Sequence, residues 1–186
     1  MKFSQKLLTD IGVTVLAMIE QNIAQGVDVH GQKFAYSEKP FYRPYDPQIV
    51  KKLGGKSGKG KFYEIVKSKS TGKLGMIILG GYKQYKQKVN PQAANDFLTF
   101  SGKMLRNLKI IKAENNQVII GFTDPIQAQK AFWLNISGAG RSRKLWKFLG
   151  LRKEQWEQLK KRYGLQITAE MSKLLLDNVK QTGAKP

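Results

Sequence analysis

Leu108-Lys109-Ile110-Ile111-Lys112-Ala113-Glu114-Asn115-Asn116-Gln117-Val118-Ile119-Ile120-Gly121-Phe122 is the stretch that decides the fold. Leu108–Ala113 and Gln117–Phe122 are alternating apolar runs of strand length. Glu114-Asn115-Asn116 joins them, which is the signature of a β-hairpin. Just upstream, Lys103–Leu108 reads as a short helix capped by Ser101. Just downstream, Asp124 and Pro125 suit the N-cap and first helical position of another helix. That helix carries Ile126, Ala128, Ala131, Phe132 and Leu134 and ends near Ser137-Gly138. Leu145–Phe148 reads as a short strand. Residues 152–163 form an amphipathic helix with Trp156, Leu159 and Tyr163 on one face, expected to pack inward. Gly164 is its expected stop, and residues 165–180 read as a further strand or helix, with Met171, Leu174, Leu175 and Val179 favouring helix.

Working toward the start of the chain, Phe3, Leu7, Ile11, Val15, Met18 and Ile19 recur at three- and four-residue spacing and predict a helix over 3–25. Gly26 is a plausible stop. Between 26 and 47, Pro40, Pro44 and Pro47 exclude regular helix or a central strand, leaving an extended, aromatic-rich arm or loop. Residues 51–61, Lys-Lys-Leu-Gly-Gly-Lys-Ser-Gly-Lys-Gly-Lys, read as flexible, disordered in the free protein and ordered on assembly. Strands at 62–67 and 74–80 with a turn at Gly72-Lys73 suggest a second hairpin. A short helix around Tyr82–Val89 ends at Asn90-Pro91. The class is therefore α+β: a long N-terminal helix, a small antiparallel sheet with hairpins, and C-terminal helices. The 186 residues are expected to form a single domain, with 46–95 a basic insertion or divergent loop and hairpin region.

Composition narrows the chemistry. The chain has 33 Lys and Arg against 13 Asp and Glu, a formal charge of +20, which is tolerated more easily when an anionic partner offsets it. It has no cysteine and a single histidine, His30, so thiolate chemistry and a tetrahedral zinc site both lack parts. Gly55-Lys56-Ser57-Gly58-Lys59-Gly60-Lys61-Phe62 approaches a phosphate-binding P-loop, but Phe62 stands where a magnesium-binding Ser or Thr is required. No catalytic, cofactor or metal residue is assigned, and no enzymatic activity is expected. The apolar stretch at the N-terminus is broken by Thr9, Asp10, Thr14 and Glu20. Neither a signal peptide nor a membrane span is expected, and synthesis in the cytosol is.

What remains is positive charge interleaved with aromatic residues, a pattern suited to contact with macromolecules. The candidate binding residues are Lys51, Lys52, Lys56, Lys59, Lys61, Arg141, Arg143, Lys144, Lys153, Lys160 and Lys161. Lys83, Lys86 and Lys88 alternate with Tyr82 and Tyr85 in the same manner. The alternatives are a sequence-independent nucleic-acid-binding module and a protein that meets acidic partner surfaces.

Three segments resemble the virion-morphogenesis or tail-completion (neck) proteins of tailed bacteriophages. Gly26-Val27-Asp28-Val29-His30-Gly31-Gln32-Lys33-Phe34 is similar to an early glycine-rich loop after the family's first helix. Phe97-Leu98-Thr99-Phe100-Ser101-Gly102-Lys103-Met104-Leu105-Arg106-Asn107-Leu108 resembles its element before a hairpin. Arg143-Lys144-Leu145-Trp146-Lys147-Phe148-Leu149-Gly150-Leu151 resembles its element before the last helices. The resemblance implies a structural virion protein, assembled in the host bacterial cytoplasm as a homo-oligomeric ring where head joins tail. Its implied partners are portal or adaptor proteins and tail proteins. For a DNA conduit, through which the genome must slide, acidic protein partners are favoured over tight DNA contact, with non-specific contact to packaged DNA as the other use of the charge.

Overall fold

The computed structural model describes residues 2–93, 96–98, 101–138 and 143–181, with side chains through Lys173. The fold is α+β, and the chain divides into two compact units, 1–34 with 102–186, and 35–101.

In the first unit, helix α1 (Gln5–Ala24) starts at Ser4, whose hydroxyl accepts from the Leu7 N–H. It packs against the hairpin β4 (Leu108–Glu114) and β5 (Gln117–Phe122) and against the long helix α6 (Lys153–Gln181). Gly12 permits the close approach, because a Cβ there would lie 2.9 Å from Val118 Cγ1 and 3.0 Å from Ile110 Cδ1. The hairpin turn is Asn115-Asn116, both with positive φ (53° and 61°), the left-handed pair that a two-residue turn between twisted strands requires. A register irregularity between Ile110 and Lys112 leaves Ile111 without a cross-strand partner. Helix α5 (Pro125–Phe132) is capped by the Asp124 carboxylate, as its Asp-Pro start suggested, and widens into a π-turn over Trp133–Ser137.

Four local expectations fail here. Ser101 does not cap the short helix α4 (Lys103–Arg106). Gly102, at φ 72°, occupies the N-cap position, with no side-chain hydrogen bond. Residues 145–148 are not a strand. Their backbone groups are tied down one at a time: Trp146 N–H donates to Leu134 O, Val29 N–H to Lys147 O, and Leu149 N–H to Asn135 Oδ1. Gly164 does not stop a helix. It lies inside α6 with open space around it, and the loss of roughly 1 kcal/mol relative to alanine is too small to break a helix docked along its length. Tyr163 packs inward as expected, but Trp156 is half exposed, because the buried stripe of α6 reaches Tyr163 in four-residue steps from Gln155 rather than through Trp156.

Among the described residues, α1 is long and apolar enough to cross a membrane. Its buried stripe of Leu7, Leu8, Gly12, Ile19, Asn22 and Ile23 is nevertheless that of a helix packed within its own domain.

The second unit is built on a three-stranded antiparallel sheet of order β1-β3-β2: β1 (Phe41–Pro44), β2 (Tyr63–Lys67) and β3 (Leu74–Ile78). The proline-rich arm thus contributes an edge strand, the one sheet position that tolerates Pro44. Pro47 opens the short helix α2 (Pro47–Lys52) under an Asp46 cap. Helix α3 (Gly81–Val89) covers the sheet, and the core is Leu53, Tyr63, Met76, Ile78, Tyr85 and Val89.

Candidate macromolecule-binding surfaces

The lysine-rich stretch 51–61 is folded. Lys51 and Lys52 occupy the last turn of α2, where the carbonyl end of the helix favours cations. The chain then makes a 3₁₀ turn over Gly55–Gly58. Tyr63 Oη donates to Gly55 O at 2.8 Å, Ser57 Oγ to Gly54 O at 2.7 Å, and Phe62 N–H to Gly58 O at 2.8 Å. The glycines are there for geometry rather than flexibility. A Cβ on Gly58 would lie 1.9 Å from Leu53 O, inside any allowed contact. The order of elements, helix, turn, then strand, is the reverse of the strand, loop and helix that cradle phosphates in a P-loop.

This turn and the end of α3 bring two lysines onto one aromatic ring. Lys61 Nζ lies 5.3 Å from the centre of the Phe62 ring and Lys88 Nζ lies 4.6 Å from the same centre. Lys52 Nζ donates to Val89 O at 3.1 Å, beside Lys88. Lys56 and Lys59 are exposed on the turn itself. Phe62 was not among the sequence candidates as a binding residue, and Lys88 was read only within the alternation of Lys83, Lys86 and Lys88 with Tyr82 and Tyr85. Their periodicity marks Lys88 as a helix-end residue, but nothing in the sequence says that α3 ends against the start of β2.

Lys86, two residues earlier, behaves oppositely. It is fully buried, its ammonium donating to Tyr36 Oη at 3.3 Å and to the Asp96 carbonyl, with the Tyr36 ring 5.0 Å away. Burial lowers its pKa, with Asp96 opposing. Tyr36, Tyr82 and Tyr85 crowd the same region. Burial raises all three pKa values, that of Tyr82 to about 12. These aromatics are packing rather than stacking platforms.

In the first unit, Arg143, Lys144, Lys153, Lys160 and Lys161 are all exposed, and Arg141 lies outside the described residues. They do not form one cluster of equivalent charges. Lys144 lies 5.2 Å from the Trp146 ring centre, Lys160 pairs with Glu157 at 3.0 Å, and Lys153 and Lys161 sit on the outer side of α6. Trp146 and Tyr163 are buried. In the same unit, α5 and its π-turn expose Ile126, Phe132, Trp133 and Ile136.

Ion pairs among the described residues include Arg43–Asp46, Lys112–Glu114 and Lys160–Glu157. No three of the described His, Asp or Glu residues come together as a metal site would require. His30 sits in a turn in which the Asp28 carboxylate accepts from its backbone N–H and from that of Gln32. The chain matches no family model, no curated protein and no solved structure.

Proposed function

We infer that the protein is a non-enzymatic structural component of a tailed-bacteriophage particle, working in the neck or tail-completion ring that joins head to tail. In this reading it forms a homo-oligomeric ring and meets portal or adaptor proteins and tail proteins.

The observation that carries the reading is the packing of two of the three family-like segments on each other. The Phe34 ring of the 26–34 loop lies 5.1 Å from the Trp146 ring, and the Val29 N–H donates to Lys147 O. Segments more than a hundred positions apart in the chain thus form one structural element, as they would if both belonged to a single assembly module. The exposed apolar side chains of α5 and its π-turn favour protein contact, since apolar patches on soluble domains usually mark interaction sites. A second reading, a sequence-independent nucleic-acid-binding module, is favoured by the lysines gathered around Phe62.

Native mass spectrometry with electron microscopy of the purified protein tests the choice. A closed ring, or a complex with portal or tail proteins, is the expected result. A protein that stays monomeric at every concentration and shifts DNA as a monomer would replace the first reading by the second.

A further inference from the structure

The geometry points to the Lys61–Phe62–Lys88 corner of the second unit, extended by Lys51, Lys56 and Lys59, as a contact surface for the phosphate backbone of nucleic acid. The inference goes beyond the protein contacts of the reading above by naming a surface for packaged nucleic acid, and it rests on that reading only for its setting in a particle.

Three observations carry it. First, residues 35–101 hold 13 Lys and Arg against 4 Asp and Glu, and the described ion pair Arg43–Asp46 involves none of the corner lysines. Lys61 and Lys88 are both exposed, and both lie against the one Phe62 ring, which fixes their stems and brings two ammonium groups to the same place. Secondly, the cations next to them stand on a folded turn whose glycines carry no side chain. The backbone of a strand of nucleic acid can therefore approach closely. Thirdly, the surface is wrong for a protein partner. Protein interfaces need a desolvated apolar core and are depleted in lysine, whereas nucleic-acid interfaces are strongly positive. Here the aromatic ring at the corner, Phe62, is itself covered by lysines. Lysine is a point charge without the planar fork of arginine, so such contacts hold phosphates without reading bases.

The test compares two double variants of the full chain with equal charge loss. Lys61→Gln with Lys88→Gln removes the corner. Lys69→Gln with Lys73→Gln removes two exposed lysines from the β2–β3 turn at the opposite end of the hairpin. Binding of a duplex oligonucleotide is measured across a salt series, and native mass is measured in parallel.

The corner variant is expected to lower the slope of log affinity against log salt by about 2 and to weaken low-salt binding at least tenfold. The turn variant should leave both close to wild type. Equal effects from the two variants would overturn the site, since net charge alone would then explain binding. Polyglutamate or anionic vesicles bound as tightly as DNA, with the same loss in the corner variant, would overturn the assignment to nucleic acid. Loss of the ring in wild-type protein, with corner-dependent DNA binding intact, would sink the neck reading and leave this surface standing.

Discussion

Asn22 of α1 and Gln155 of α6 exchange two side-chain hydrogen bonds, Asn22 Nδ2 donating to Gln155 Oε1 at 2.8 Å and Gln155 Nε2 donating to Asn22 Oδ1 at 2.9 Å. Both are buried. Gln155 also accepts from the Arg152 N–H, reaching back to the start of its own helix as a capping residue does, and donates to Met18 O. Farther along the same seam, Tyr163 Oη donates to Asp10 O and shares a hydrogen bond with Thr14, and Ser4 donates twice to Glu170. The two helices are registered by polar rungs, which tolerate sliding far less than a greasy seam would.

Asn22→Leu should therefore cost about 1–3 kcal/mol, because the Gln155 amide is left buried and partly unpaired. Gln155→Leu should cost more, since Met18 O and the Arg152 N–H lose their partner too. The double variant should cost less than the sum of the singles, as measured by urea unfolding. Simple additivity would show that the two amides are not coupled.

Gly164 offers a gain. Alanine there meets open space within a helix of ordinary backbone geometry, so Gly164→Ala should stabilise the protein by roughly 0.5–1 kcal/mol. Thermal melting reads this directly, and a lowered midpoint would show that the position does not tolerate a side chain.

Gly58→Ala should do the reverse in the second unit. The new methyl collides with Leu53 O, next to one of the most buried leucines in the chain, and should destabilise by about 1–3 kcal/mol. Hydrogen exchange checks both the variant and the folded turn. The amides of Gly60 and Phe62, bonded to Tyr63 O and Gly58 O, should be protected in the free wild-type protein. Free exchange there would restore the expectation of a disordered segment.

Alkaline pH should loosen the second unit. Tyr82 has its pKa raised by burial to about 12, so its phenol stays protonated in the fold beyond the point at which an unfolded tyrosine ionises. That contribution is complete below about pH 10 and is lost as pH rises from 10 toward 12. Tyr36 and Tyr85 are shifted the same way. Lys86 works in the opposite sense, its buried charge being relieved as pH rises toward the ordinary lysine range. Three tyrosines against one lysine predict a net loss. Absorbance titration should show late-ionising tyrosines, with a stability decline above pH 10 that Tyr82→Phe reduces. All seven tyrosines titrating together near 10, with no loss of stability, would contradict it.

Acid should release the end of the α1–α6 seam. The Ser4 hydroxyl and N–H hold the Glu170 carboxyl below the usual carboxylate range. Its contribution is present above the unfolded pKa and is lost as pH falls through the folded one. Glu170→Gln should flatten the acid limb of the stability profile around that range, and an unchanged limb would show that the clamp adds nothing.

Local backbone chemistry was legible from sequence alone wherever neighbours in the chain settle it. Asn115-Asn116 can take the left-handed turn whatever surrounds it, Asp124-Pro125 starts a helix by its own side chain and ring, and the excess of lysine over acid is a matter of counting. Residues whose state depends on a distant partner were not legible. Trp156 and Gln155 are adjacent, and hydrophobicity nominates the tryptophan for burial. Asn22, more than a hundred positions away, takes the glutamine instead and turns the helix so that Trp156 faces out. Gly58 and its neighbours have a composition that equally describes a floppy linker. Only the packing of Leu53 and Tyr63 against the turn makes them a rigid platform. Lys86 and Lys88 differ by two positions, about half a turn of helix, so one is driven into the core under Tyr36 and the other out onto Phe62. Which lysine is structural and which is free to meet a partner is decided by the face each presents, and that face exists only once the helix has docked on the sheet.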